Sequence, residues 1–270
     1  MGSIVQSFIG ECSRVWDLRD RRTDGWFLAE SPLTPVLFCV IYLLFVKIWG
    51  PKLMANRSPF QLKGLLIVYN SFQIVFNGWM FYRICRLTWF NGYSFVCQPV
   101  DYSASEDGLQ EVLMGYCFYV SKLIDFLDTV FFILRKKNNQ ITFLHVFHHF
   151  VMVLACFAGF RFMTGGQSAF TPTFNTFVHC VMYFYYLMAA MGPRYQKYLW
   201  WKRHLTALQM IQFLCVGLHG MMPFFADCGF PKIYCWYCVF QSIMFFQLFN
   251  NFHSKTYRLQ DINANNNKMN

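Results

Sequence analysis

Four clusters of polar residues stand inside runs that are otherwise apolar, and each is spaced so that its members share one helix face. The densest is Gln140-Ile-Thr-Phe143-Leu144-His145-Val-Phe147-His148-His149. His145 and His149 are four residues apart and His145 and His148 three, so the three imidazoles can project into one bundle interior. Imidazole titrates near neutral pH and serves as base, nucleophile or metal ligand. A lone buried histidine is commonly structural; three within five residues of an apolar helix ask for a chemical role.

A second cluster is Lys122-Leu-Ile-Asp125-Phe-Leu-Asp128-Thr129. Lys122 and Asp125 are three apart, Asp125 and Thr129 four apart. An internal ion pair would neutralise two of these charges, but the third is in excess. The third cluster, Asn175-Thr-Phe-Val-His179-Cys-Val-Met182-Tyr183-Phe-Tyr185-Tyr186, repeats polar groups every four residues. The fourth places Thr206, Gln209 and Gln212 at three-residue spacing. Either of the last two alone reads equally well as hydrogen-bond glue between helices. Taken together they furnish an apolar bundle with a polar interior.

His-X-X-His-His also occurs in membrane desaturases and hydroxylases, whose two irons need about eight histidines. This chain has seven in all, with a single box. Three ligands such as His145, His149 and His179 plus an open position would suit one catalytic zinc. No Glu stands between the box histidines to act as base, as it does in zinc proteases. Metal-free use of imidazole as nucleophile and base is the preferred reading, with no metal ligand and no cofactor assigned. A metal-dependent lipid desaturase or hydroxylase is the alternative enzyme, and a seven-span receptor or transporter the alternative outside enzymes.

The elements that must hold these groups follow from composition. Of 270 residues 56% are hydrophobic, 21% aromatic and only 13% charged, about half the charge of an ordinary soluble domain. A water-soluble globule and a disordered chain are both disfavoured. Seven apolar stretches approach the roughly 20 residues a membrane-crossing helix needs: 32–49, 62–82, 112–134, 141–160, 172–190, 205–222 and 233–252. The third carries Lys122, Asp125 and Asp128, each costing about 2.5–3.5 kcal/mol to insert. Counting it as a span leaves fourteen basic residues and one acidic residue, Asp261, on one side. The other side then holds eight basic and ten acidic residues. That asymmetry matches the positive-inside rule and selects seven spans. It puts the N-terminus in the lumen or exterior and the C-terminus in the cytosol. The net charge of +10 thus belongs to a membrane surface, and no nucleic-acid partner is expected.

The resulting plan is all-α: a lumenal segment 1–31, a membrane domain 32–253 and a cytosolic tail 254–270, with no internal repeat. The first thirty residues are too charged for a secretory signal. Met1-Gly2 lacks a hydroxyl at the position that myristoylation requires. Cys97 and Cys228 fall in non-cytosolic loops, where oxidation is allowed; a disulfide between them is expected. Cys235-Trp-Tyr-Cys238 has redox or zinc-half-site spacing but no second pair, and reads as two small apolar residues. The Asn56-Arg57-Ser58 sequon faces the cytosol and is expected to be unmodified.

In series, the four clusters resemble the ELO family of very-long-chain fatty acid elongases, the membrane 3-ketoacyl-CoA synthases. Lys122, Asp125, Asp128 and Thr129 match Lys-X-X-Glu-X-X-Asp-Thr, and Gln140 through His149 match the histidine box. Asn175 through Tyr186 match Asn-X3-His-X-X-Met-Tyr, and Thr206, Gln209 and Gln212 match Thr-X-X-Gln-X-X-Gln. Asp125 stands where the family usually has Glu. Phe147 stands where many members have Tyr, a variant more like elongases of saturated and monounsaturated chains. Asn267-Lys268-Met269-Asn270 lacks the paired lysines that return many relatives to the endoplasmic reticulum.

The resemblance implies seven transmembrane helices, six enclosing a narrow acyl-chain tunnel, in the endoplasmic reticulum membrane. It implies condensation of acyl-CoA with malonyl-CoA to 3-oxoacyl-CoA, CoA and CO2. By analogy His148 is the nucleophile. His145, His149 and His179 would orient groups or stabilise developing charge, Asp125 and Asp128 would hold imidazole tautomers, and Asn175 and Gln209 would donate hydrogen bonds. Gln140 and Thr206 join them as substrate contacts, and Lys122, Arg135, Lys137, Lys202 and Lys255 are candidates for CoA phosphates. Expected partners are acyl-CoA, malonyl-CoA and the lipid bilayer. The elongation cycle adds a ketoacyl reductase, a dehydratase and an enoyl reductase, and a homodimer is admitted.

Overall fold

Helices account for nearly all regular structure in the computed structural model, which describes residues 2–258, and no strand occurs among them. The helices are α1 (Gly2–Asp17), α2 (Leu33–Leu44), α3 (Gly50–Met54), α4 (Lys63–Leu87), α5 (Glu106–Ile124) and α6 (Phe126–Leu134). They continue with α7 (Phe143–Phe162), α8 (Phe170–Met191), α9 (Pro193–Gln196), α10 (Lys202–Met221) and α11 (Lys232–His253). Asp261, Lys268 and the terminal Asn267–Asn270 motif lie outside the described residues, as does most of the expected tail.

Each apolar stretch expected to be helical is helical, with two differences. The first does not stop at Trp49: a π-helical turn over Phe45–Trp49 carries α2 on into α3. Gly50 makes this possible, because a side chain there would collide with the Phe45 carbonyl and the Ile133 side chain of α6. The third stretch is not one helix. It breaks at Asp125, where α5 ends and α6 begins.

Three segments, Leu33–Met54, Phe143–Phe162 and Lys202–Phe224, are long and apolar enough to cross a membrane. The other long helices carry more polar residues, but they turn them inward. On α4, Asn70, Gln73 and Asn77 are buried, while Val68, Phe72, Val75 and Trp79 are exposed. α11 likewise exposes Trp236, Phe240 and Ile243. A helix in water does the reverse, so these outward faces suit hydrocarbon. The chain is a helical membrane protein.

α4 packs along α8, α10 along α11, and α5 against α7. One end of the bundle is closed by the segment between α1 and α2. Arg161, fully buried at the end of α7, donates to the Thr23 carbonyl, to Thr23 Oγ1 at 2.5 Å and to Asp24 Oδ1 at 2.8 Å. Its guanidinium lies 4.8 Å from the Trp16 ring centroid. Tyr116 and Tyr119 of α5 donate to the carbonyls of Phe27 and Leu28. At the same end Cys97 and Cys228 form a disulfide with Cα atoms 5.9 Å apart, joining the α4–α5 loop to the α10–α11 loop. Cys235 and Cys238 are free and buried.

Candidate active site

The break at Asp125 is where the site begins. Changing from α5 to α6 there presents the Asp125 side chain to α4 and α8 as well as to Lys122 of α5. Oδ1 accepts from Gln73 Nε2 of α4 at 2.7 Å and from Tyr183 OH of α8 at 2.9 Å. Oδ2 accepts from Lys122 Nζ at 3.1 Å and lies 3.7 Å from His179 Nδ1. Lys122 also donates to Asn175 Oδ1 at 2.9 Å. Its ammonium sits 4.8 Å from the Phe118 ring centroid. A buried ion pair of this kind holds only because other hydrogen bonds satisfy its remaining atoms.

One turn on, Asp128 Oδ2 accepts from Tyr183 OH at 2.8 Å, so a single phenol hydrogen is shared between two carboxyl groups. Thr129 stands on the same turn. Its Oγ1 is 2.9 Å from Tyr42 OH and 2.8 Å from His145 Nε2. That relay links α2, α6 and α7 and fixes the orientation of the first box histidine. The N-terminus of α7 is itself set by Thr142, whose hydroxyl accepts from the His145 N–H at 3.2 Å, an N-cap.

The histidines then stack along α7. The His145 and His149 rings are 4.4 Å apart between centroids, and those of His148 and His149 5.5 Å apart. His148 meets Phe245 of α11 edge to face at 5.0 Å and borders a small cavity shared with Asn175, Gln212 and Gln241. His179 is buried, and its Nδ1 has no hydrogen-bond partner. A second, larger cavity shares Met152, Thr171 and Gln241 with the first and reaches Glu111, Thr164 and Gly165. Between these ends its wall includes Met114, Phe118, Phe160 and Tyr237. The histidine cluster therefore sits at one end of an apolar slot. Among the described residues no three His, Cys, Asp or Glu side chains are grouped as a metal site.

The structure places the expected site residues in two zones. His145, His148, His149, His179, Asp125, Asp128, Lys122 and Asn175 come together in the interior, and Thr206 and Gln209 lie on α10. Gln209 donates to Met182 Sδ at 3.7 Å. Lys137, Gln140, Lys202 and Lys255 are exposed and Arg135 half-buried, at the end of the bundle from which α7 starts. Lys122 is unlike those cations. It is 3% exposed and its charge is spent on Asp125 and Asn175, which removes it from the surface where a CoA phosphate would lie. Gln140 likewise stands apart from the histidines, in the turn before α7.

Tyr42, Tyr69, Gln73 and Gln241 belong to the site but were not read from the sequence. A signal existed for one of them. Asn70, Gln73 and Asn77 sit three and four apart in an apolar stretch, the same pattern that marked the other clusters. Gln73 extends the network to Tyr69, donating to its hydroxyl at 3.2 Å.

A helical membrane protein with a buried Lys–Asp–His–Tyr network at the head of an apolar slot is the class that fold and site define. Residues 27–265 match the model of the ELO family, described as the GNS1/SUR4 family, and the chain belongs to that family. It is 47% identical to a very long chain fatty acid elongase of Aedes aegypti over 95% of this chain and 72% of that protein. It is 45% identical to very long chain fatty acid elongase 7 of Rattus norvegicus, over 88% of this chain and 85% of the relative. Against very long chain fatty acid elongase 4 of Homo sapiens the identity is 43%, over 90% and 77%.

Proposed function

We propose that the chain catalyses the condensation step of fatty acid elongation, joining a long or very-long-chain acyl-CoA to malonyl-CoA to give 3-oxoacyl-CoA, CoA and CO2. Fatty acid elongation itself follows from family membership and from relatives named as elongases. The observation that carries the finer reading is the position of His148: it borders a cavity on one side and meets the ring of His149, itself against His145, on the other.

In this reading the neutral imidazole of His148 attacks the acyl thioester carbon. The C–S bond breaks, and the departing CoA thiolate takes the imidazole proton, leaving a neutral acyl-imidazole and CoA. Malonyl-CoA enters next and loses CO2, and the C–C bonding pair becomes an enolate. The enolate carbon attacks the acyl carbonyl, the C–N bond breaks, and His148 is regenerated as the pair returns to its nitrogen and takes up one proton from solvent, the proton that the overall condensation consumes. Asn175, which lines the cavity beside His148, would stabilise oxyanion and enolate, with His179 assisting one turn further along α8. Asp125, held by Lys122, Gln73 and Tyr183, fixes the surroundings of His179. The Tyr42–Thr129 relay fixes His145. An apolar, water-poor slot protects the acyl-imidazole. No cofactor enters any step.

The same reading assigns seven membrane crossings, with α5 and α6 forming one broken span, and six of them around the acyl slot. The exposed Lys137, Lys202 and Lys255, with Arg135, would receive CoA phosphates at a cytosolic mouth. The N-terminus would be lumenal, the C-terminus cytosolic, and the membrane that of the endoplasmic reticulum, where a reductase, a dehydratase and an enoyl reductase complete the cycle. The test is incorporation of labelled malonyl-CoA by membranes containing the chain, with mass spectrometry of the trapped acyl-enzyme. His148→Ala should abolish both incorporation and the adduct, while His145→Ala should leave the adduct detectable. Full condensation by His148→Ala would remove this residue as nucleophile. An isolated protein that is inert until iron or zinc is restored would overturn the metal-free scheme.

A further inference from the structure

We propose that Gly159 sets the acyl-chain-length limit of this protein: its missing side chain is what lets chains of about 14 carbons and more pass along the slot. The proposal rests on the elongase reading and concerns the slot beyond His148. Gly159 lies in the interior of α7 and lines the larger cavity. Glycine forms helix less well than alanine, so its presence there asks for a reason in the packing or the backbone. The backbone at Gly159 is helical, and a Cβ built on it would meet nothing within 4 Å. The other two glycines of the cavity wall differ. A Cβ on Gly115 would come within 2.6 Å of Thr164 Cγ2, and one on Gly165 would overlap Glu111, whose Oε1 accepts from Tyr93 OH and whose Oε2 is enclosed without a hydrogen-bond partner. Close packing requires those two glycines. Gly159 faces open space.

That space is the slot itself. At about 100° per residue, His148, Met152, Ala155 and Gly159 fall within about 60° of one another around α7. All four line one or both of the cavities. Ala158, beside Gly159 in sequence, is turned away and exposed. Along the shared stripe the side chains shrink from imidazole to thioether to methyl to hydrogen, so the α7 wall recedes with distance from His148. Other helices bring bulkier groups to the same cavity, Phe118 on α5 and Tyr237 on α11 among them. A hydrogen atom at position 159 keeps the passage open between those groups and the far end at Gly165.

Geometry sets the limit. Gly159 follows His148 on α7 by about three turns, or about 16 Å at a helical rise of about 1.5 Å. An extended chain advances about 1.3 Å per carbon, from C–C bonds of about 1.5 Å. In a chain laid along α7 with its thioester at His148, roughly carbons 12 to 14 therefore lie beside Gly159. A decanoyl chain ends short of that point, and palmitoyl and stearoyl chains pass it. A branched side chain placed there would stop the long chains and spare the short one.

The experiment offers decanoyl-, palmitoyl- and stearoyl-CoA as competing acceptors for labelled malonyl-CoA, using the full chain in phosphatidylcholine vesicles. Gly159→Leu should raise the decanoyl-to-stearoyl ratio of kcat/KM about tenfold or more over wild type, since several methylenes lose their place in an apolar site. Gly159→Val, a smaller insertion, should move the ratio the same way and replaces the leucine variant if that protein shows no thermal transition. Ala158→Leu, at the same depth on the outer face, should leave the ratio at its wild-type value. Gly159→Ala should raise the thermal midpoint in detergent by about 2–4 °C, because helix propensity improves and no contact is disturbed. An unmoved ratio in a folded Gly159→Leu or Gly159→Val protein overturns the proposal. So does an equal loss with all three acceptors, because a blocked slot spares the chain that ends before it. A ratio moved as far by Ala158→Leu, or a midpoint lowered by Gly159→Ala, overturns it too. Incorporation by wild type with a ratio indifferent to position 159 removes this proposal alone; incorporation into none of the three acceptors removes the elongase reading beneath it as well.

Discussion

Tyr183→Phe isolates the hydroxyl that ties the two carboxyl groups together. The phenol hydrogen lies 2.9 Å-bonded to Asp125 Oδ1 and 2.8 Å-bonded to Asp128 Oδ2, measured from the oxygen. The ring is fully buried beside Tyr69, so the substitution leaves packing nearly unchanged. Hydrogen bonds to charged groups contribute about 1.5–3 kcal/mol each. A single hydrogen shared by two acceptors contributes less than two full bonds, and Asp125 keeps Gln73 and Lys122 as donors. A net loss of about 2–4 kcal/mol of stability follows. If Asp125 loosens its hold on His179 by even part of that, kcat falls about ten- to a hundredfold, since about 1.4 kcal/mol is a factor of ten. Tyr183 lines neither cavity, so KM for acyl-CoA should change little. The assay is steady-state incorporation of malonyl-CoA, read beside thermal unfolding in detergent. Gln73→Leu should be non-additive with Tyr183→Phe, because both donate to the same oxygen. A Tyr183→Phe protein with kcat within about twofold of wild type and an unchanged midpoint would refute the claim that this hydroxyl organises the site.

Gly165→Ala should destabilise by about 1–3 kcal/mol, from its positive φ and the overlap with Glu111; an unchanged thermal midpoint would show that the far end of the cavity yields freely. Arg161→Leu deletes the donor to Thr23 and Asp24 and strands a buried carbonyl, so about 2–4 kcal/mol should be lost and proteolysis before α2 should accelerate. Asp24 is held below its ordinary 3.8 chiefly by its hydrogen bond from Arg19, with a further contribution from Arg161. Its stabilising effect is present above 3.8 and fades as pH falls through the lowered value. The midpoint difference between wild type and Asp24→Asn should therefore shrink on acidification below 3.8, and a difference that stays constant would contradict the pairing.

Helix faces were legible from spacing because an α-helix repeats every 3.6 residues, so i, i+3 and i+4 identify a common side without knowledge of its surroundings. That is why His145, His148 and His149, or Asn175, His179 and Tyr183, stood out. Gln73 has the same helical spacing with Asn70 and Asn77, but its partner Asp125 lies 52 residues away, so spacing alone did not tie it to the site. Glu111 fell at the edge of a span and read as one more lumenal charge.

What the residues determined unaided is the solvent and the local order: too few charges for water, apolar runs of crossing length, basic residues gathered on alternate loops, and polar clusters at helical spacing. These are properties of short stretches, and short-range physics decides them. Only the tertiary structure decided which faces meet. It broke the third stretch at Asp125, turned Lys122 inward onto Asp125 and Asn175, and closed the Tyr42–Thr129–His145 relay. It also left Glu111 Oε2 unpaired at the end of a cavity. The Lys122–Asn175 contact and the Tyr42–Thr129–His145 relay depend on side chains from helices far apart in the chain arriving within about 3 Å, the range over which a hydrogen bond forms, and no pattern within a single helix encodes that distance.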